Sequence, residues 1–111
     1  MPHFSLLAPG RRPNPVGPPA FDFPVTRHAI ARMQQRAISW QDVTLVLHYG
    51  REYHAGDGRT AYHLGRQIVA GARRKGIRLD RASNLSILVG RDGTLITVQH
   101  TEFVPRSWRS A

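Results

Sequence analysis

The run TRHAIARMQQRAIS, Thr26 to Ser39, sets His28, Arg32 and Arg36 four residues apart. On a helix that spacing stacks the three side chains in one stripe. Imidazole exchanges a proton near neutrality, and guanidinium grips phosphate oxygens in a planar fork, so the stripe carries the groups for acid–base chemistry at a phosphate. Like charges at this spacing repel by only about 0.2–0.5 kcal/mol per pair. A charged hydrogen bond to an anion contributes about 1.5–3 kcal/mol. The stripe is therefore satisfied either by a carboxylate of the same chain (Asp22, Asp42, Glu52 or Glu102) or by a phosphate of another molecule.

Three further histidines sit within extended, β-rich sequence. His54 and His63 lie on either side of Gly56-Asp57-Gly58, and His100 ends the last apolar run. No HxxxH or HExxH spacing occurs, and His100-x-Glu102 is an isolated pair, so neither a metal nor another cofactor is expected. With no cysteine, thiolate ligands, disulfides and a cysteine nucleophile are excluded. There is no GxSxG elbow, and GDGR lacks the length and the Gly-Lys-Ser/Thr ending of a phosphate loop.

The elements that must position these groups follow from the pattern. Thr26 reads as an N-cap, and Ala29, Met33 and Ala37, with Ile30 beside them, form the core-facing stripe of the helix it opens. Ser39 and Asp42 resemble a capping box for a second helix, whose apolar side is Trp40, Val43, Val46 and Leu47 and whose stop is Gly50. REYHA and TAYHLG around GDG read as a β-hairpin, with Tyr62 and Leu64 on one face and His63 on the other. Ile68, Val69 and Ala72, with Gly76 as a stop, predict a third helix. NLSILVG and TLITVQHT pair through Arg91-Asp92-Gly93; simple alternation sets Ile96 and Val98 on one face and Leu95, Thr97 and Gln99 on the other. The order α-α-β-β-α-β-β predicts an α+β domain. Its two N-terminal helices pack on a small antiparallel or mixed sheet of about four strands, with one further helix.

At 111 residues the chain has room for one domain. Residues 1–20 hold six of its prolines and predict a disordered arm, 21–104 the folded domain, and 105–111 a flexible tail. Phe21 and Phe23 are expected to pin the start of the domain to its core. Lys+Arg number 16 against Asp+Glu 7, and all but Lys75 of the cations are arginine. A polyanion, RNA above all, is the expected partner, and an acidic protein is the second candidate. FSLLA is too short for a signal-peptide core and no apolar run reaches the ~20 residues of a membrane span, so a cytoplasmic protein without membrane contact is expected. Nothing sets an oligomeric state.

Taken together, RHAIARMQQRAIS, VLHYG, YHLGRQIVAGARRKG and DGTLITVQ resemble the bacterial domain of unknown function 4258. Its members show a His-Ala-x-x-Arg-Met-x-x-Arg-x-Ile helix and a closing Gly-x-x-Ile-Thr-Val strand. The likeness spans roughly residues 23–101. That family in turn looks like a relative of the RelE-like and barnase-like ribonuclease toxin fold, which implies metal-free RNA cleavage by a toxin-like endoribonuclease. The alternative is a non-catalytic module that binds RNA or an acidic protein through the same arginines. Carried over by position, the resemblance implies His28, Arg32, Arg36 and Thr97 as catalytic and an acidic antidote-type protein as a possible partner; for RNA cleavage His63 or His100 is then expected to be the second proton carrier. Arg27, Tyr62, Arg66 and Gln99 are expected to bind substrate. Two positions depart from the pattern: Ala37 stands where a glycine is common, which a helix corner is expected to tolerate, and Gln99-His100 replace an aromatic and a basic residue.

Overall fold

The computed structural model describes residues 24–111. The arm over 1–20, the Phe21 and Phe23 anchors and Asp22 lie outside the described residues.

Thr26 caps the first helix, α1 (Arg27–Gln35): its hydroxyl oxygen accepts from the Ala29 N–H at 3.0 Å and donates to Ile96 O at 2.6 Å. One side chain thus starts the helix and ties it to the sheet. Ala29 and Met33 are buried as their stripe requires. Ala37 is not: the helix has already ended at its Arg36 cap, and Ala37 is exposed with φ 53°. The Ile38 N–H turns back to Met33 O at 2.8 Å and the Ala37 N–H to Gln34 O at 3.4 Å, with Met33 and Ile38 both buried. This is the hydrogen-bond pattern and apolar closure of a Schellman end, whose left-handed position normally holds glycine.

The second helix, α2 (Trp40–Tyr49), carries the full reciprocal capping box: Ser39 Oγ accepts from the Asp42 N–H, and the Asp42 carboxylate from the Ser39 N–H, both at 3.0 Å. Gly50 then allows a close approach. A Cβ there would sit 2.5 Å from Val46 O and 3.3 Å from the His63 backbone.

Five strands follow, interrupted by the third helix: β1 (Arg51–Gly56), β2 (Arg59–Leu64), α3 (Arg66–Arg74), a 3-10 turn at Asp80–Ala82, β3 (Leu85–Val89), β4 (Leu95–His100) and β5 (Arg109–Ser110). The sheet order is β4-β3-β2-β1-β5 and every neighbouring pair is antiparallel. The first hairpin turns through Asp57 and Gly58, at φ 55° and 76°, the two positive values that a tight primed turn demands. The expectation of about four strands and of a tail over 105–111 is corrected by β5, which pairs Ser110 with Tyr53 and Arg109 with His54.

The core lies between one sheet face and the helices. Tyr62, Leu64, Leu85, Ile87, Leu95 and Val98 meet Ala29 and Met33 of α1, Val43, Val46 and Leu47 of α2, and Val69 and Ala72 of α3. Alternation along β4 is broken: Val89 pairs with Leu95 whereas Leu88 pairs with Thr97, so Ile96 is an extra residue. This bulge corrects the expected faces. Leu95 joins Val98 in the core, while Thr97 and Gln99 pair across from Leu88 and Ser86 on the far face.

No helix among the described residues is long and apolar enough to cross a membrane.

Candidate functional site

Register on the far face of the sheet builds a row from four strands. Arg51 pairs with His63, His63 with Ser86, and Ser86 with Gln99. Directly opposed residues share a face, so the four side chains stand side by side. The next row is Tyr53, Ala61, Leu88 and Thr97. Trp108, brought over by the residues leading into β5, lies with its ring 6.0 Å from that of Tyr53 and shares a small hollow with Thr97 and Gln99.

His63 is the focus of this face. It is 6% exposed, and its Nδ1 lies 2.7 Å from the Ser86 hydroxyl oxygen. Burial holds its pKa below the ordinary 6.5, so the ring is neutral at pH 7. In the tautomer with Nδ1–H donating to Ser86, Nε2 keeps its lone pair. The Cδ2–Nε2 edge lies against Gly65, where even a Cβ would stand 3.5 Å away, on the side of an open cleft of about 370 Å³. Around that cleft stand Arg51, Tyr53, Arg66, Glu102 and Phe103. Arg66 donates to Glu102 at 3.0 Å, both largely exposed. Arg51 donates to the Ser110 hydroxyl at 2.8 Å and lies over the Tyr53 ring at 5.5 Å. Phe103 is 81% exposed. A neutral, oriented imidazole in a cleft that two arginines also line can accept a proton next to an anion bound there.

The expected site residues divide into separate groups. Arg27 and His28 are exposed on α1, Arg32 is half-buried, and Arg36 is its exposed cap; all four belong to the helix layer, across the sheet from His63. His63, Thr97 and Gln99 share the far face; of these only His63 lines the cleft, together with Arg66. His100 is exposed at the end of β4 and does not line the cleft. A single centre containing both His28 and His63 is not formed. Tyr62, expected to bind substrate, stands apart from the far-face row and is 6% exposed. It alternates into the core with Leu64, and burial and the Glu52 carboxylate push its hydroxyl up to about 12.

Of the four carboxylates offered for the α1 stripe, Asp42 and Glu102 are engaged elsewhere, and so are Asp57 and Asp80 outside that set. Asp42 caps Ser39 and lies 3.9 Å from Arg81, Glu102 holds Arg66, Asp57 is 3.9 Å from Arg59, and Asp80 pairs with Arg73. Among the described residues no ion pair reaches Arg32 or Arg36. Nor do three or more histidine and acidic side chains gather where they could hold a metal ion.

Ser86, Arg51, Glu102, Phe103 and Trp108 were not legible as site residues. Ser86 left a trace as a polar residue inside the apolar run NLSILVG, and Glu102 was legible only as a carboxylate for the α1 stripe and as a neighbour of His100. The others reach the cleft by strand register or by the path of the C-terminal segment. Compared with protein-family models, curated proteins and solved structures, the chain matches none.

Proposed function

We propose that the protein is a metal-independent endoribonuclease that works at the far face of its sheet in the cytoplasm. The carrying observation is the buried, neutral His63 ring, held by Ser86 beside Arg51 and Arg66. His63 Nε2 takes the proton of a ribose 2′-hydroxyl as that oxygen attacks the adjacent phosphorus. The bond to the 5′-oxygen breaks, the leaving oxygen takes a proton from water admitted by the open cleft, and a 2′,3′-cyclic phosphate and a 5′-hydroxyl result. Arg51 and Arg66 offset the charge that grows on the phosphate oxygens, and Phe103 offers a ring on which an unpaired base stacks. The surplus of nine positive charges draws the polyanion in. The resemblance to the domain of unknown function 4258, and through it to the RelE-like and barnase-like fold, belongs to this proposal and points to the same chemistry.

The test is single-stranded RNA incubated with the full chain in excess EDTA, with product ends identified by mass. Cyclic phosphate ends should form, and His63→Gln should slow cleavage by about 10²-fold or more, the usual worth of a positioned base. Intact RNA, or equal cleavage by His63→Gln, refutes the catalytic reading. The second reading, a non-catalytic module, draws on Arg32 and Arg36, which no ion pair reaches among the described residues. It expects RNA binding that weakens steeply with salt and is unchanged in His63→Gln.

A further inference from the structure

α1 and α2 start under the side-chain caps of Thr26 and Ser39, but α3 starts bare. Its N-cap is Gly65, in extended backbone at φ −76° and ψ 167°, with no side-chain hydrogen bond and no acid in the first turn. The first intrahelical bond runs from the Val69 N–H to Gly65 O at 3.1 Å. The N–H groups of Arg66, Gln67 and Ile68 precede it and point back past the N-cap, where no earlier turn supplies a carbonyl. Among the described residues nothing else accepts from them. All three residues line the His63 cleft. Three free donors at the positive end of a helix are the parts of an anion site.

A second group aims at the same place. The His63 ring is 6% exposed, its Nδ1 is held by Ser86, and its Nε2 has no partner among the described residues. The Cδ2–Nε2 edge faces the α3 N-cap, 3.5 Å from where a Gly65 Cβ would stand. A buried nitrogen without a partner costs free energy, which a hydrogen-bonding ligand restores. In the tautomer with Nδ1–H on Ser86, Nε2 accepts while the helix donates. An anion with no hydrogen of its own fits only the donors; a hydroxyl beside anionic oxygens fits both. Among the described residues Glu102 is the one carboxylate lining the cleft, and the Arg66 guanidinium engages it at 3.0 Å.

We infer that the first turn of α3 is a phosphate site within the cleft. The N–H groups of Arg66, Gln67 and Ile68 receive the anionic oxygens of a phosphate 3′ to a ribose, and the 2′-hydroxyl of that ribose donates to His63 Nε2. Sugar and phosphate of one ribonucleotide are thus read together, and a deoxyribonucleotide lacks the second half. The place of the hydroxyl rests on the endoribonuclease reading; the anion site needs only the helix and the cleft. Backbone donors are fixed by the helix, so they hold the phosphate in one position, which the long Arg51 and Arg66 side chains alone do not.

The probes are inorganic phosphate, adenosine 3′-monophosphate and its 2′-deoxy counterpart, titrated into the full chain near neutral pH with amide resonances followed by NMR. All three should shift the Arg66, Gln67 and Ile68 amides saturably, and the ribo compound should bind about fivefold or more tighter than the deoxy one. Gly65→Asp sets a carboxylate on the same donors, and its Cβ has ordinary room beside His63. Its Tm should hold or rise while phosphate affinity falls about tenfold or more. Arg66→Pro removes a first-turn N–H where proline suits a helix, whereas Arg66→Ala removes the same side chain and keeps the N–H. With both folded by Tm, Arg66→Pro should bind phosphate about tenfold more weakly than Arg66→Ala. Equal binding by those two, or by wild type and Gly65→Asp, overturns the site. Equal affinity for the ribo and deoxy compounds overturns the ribonucleotide reading and leaves phosphate alone as the ligand. Shifted amides with RNA left intact sink the nuclease and keep the anion site; cleaved RNA with unmoved amides does the reverse.

Discussion

Replacing Ala37 by glycine should stabilise the protein although it removes a methyl group. Ala37 sits at φ 53°, at the left-handed position of the α1 Schellman end. A residue with a Cβ pays about 1–2 kcal/mol for that conformation, because the Cβ crowds the following carbonyl oxygen. Glycine avoids this but loses about 0.5–1 kcal/mol more backbone entropy on folding. The side chain is exposed, so little apolar contact is given up. The net gain is about 0.5–1 kcal/mol, which in a domain of this size raises Tm by about 2–8 °C. Calorimetry and urea unfolding of the two proteins, with unchanged m, would read it. Ala37→Val should move the midpoint the other way, since a β-branched residue fits positive φ worse than alanine. A glycine variant that melts at or below the parent refutes the reasoning. It would mean that the Met33–Ile38 closure, and not the Cβ, decides the energy of the turn.

Three further outcomes are expected. Ser39→Ala should cost about 0.5–2 kcal/mol in urea unfolding, because the Asp42 N–H loses its acceptor at the start of α2 while the reciprocal bond from the Ser39 N–H remains. Gly50→Ala should cost about 1–3 kcal/mol, because its Cβ meets the Val46 carbonyl and the His63 backbone, neither of which can swing away like a side-chain end. For His63 the folded pKa lies below 6.5, so at acid pH the unfolded chain binds a proton that the folded one refuses. Its contribution makes stability fall as pH drops below 6.5 and leaves it unaffected above; the urea midpoints of wild type should therefore decline between pH 7.5 and 5 more than those of His63→Gln.

Local chemistry carried much of the architecture in the sequence. The Ser39/Asp42 box, the Thr26 cap, the Asp57-Gly58 turn and the Gly76 stop each act within a few residues, so their type and spacing already specify α1, α2, the first hairpin and the end of α3. The alternation that puts Tyr62 and Leu64 on one face and His63 on the other was legible for the same reason, but which face is buried was not. Ala37 misled because apolar spacing continued one turn beyond the hydrogen bonds. β5 was hidden because two residues carry no strand pattern and gain their conformation only from the β1 edge.

What the sequence determined alone is a small basic α+β domain with a cationic helix stripe, since helix caps, tight turns and charge all act at short range. Tertiary structure alone set His63 beside a cleft and against its Ser86 partner. The Ile96 bulge brings Leu95 into the core and leaves Thr97 and Gln99 outside, and the β2–β3 register places Ser86 23 positions away in the chain against His63. It also set α1 on the other side of the sheet, which parts His28, Arg32 and Arg36 from His63. Cross-strand partners are chosen by which faces must be buried together, a property of the assembled sheet that no short stretch of residues contains.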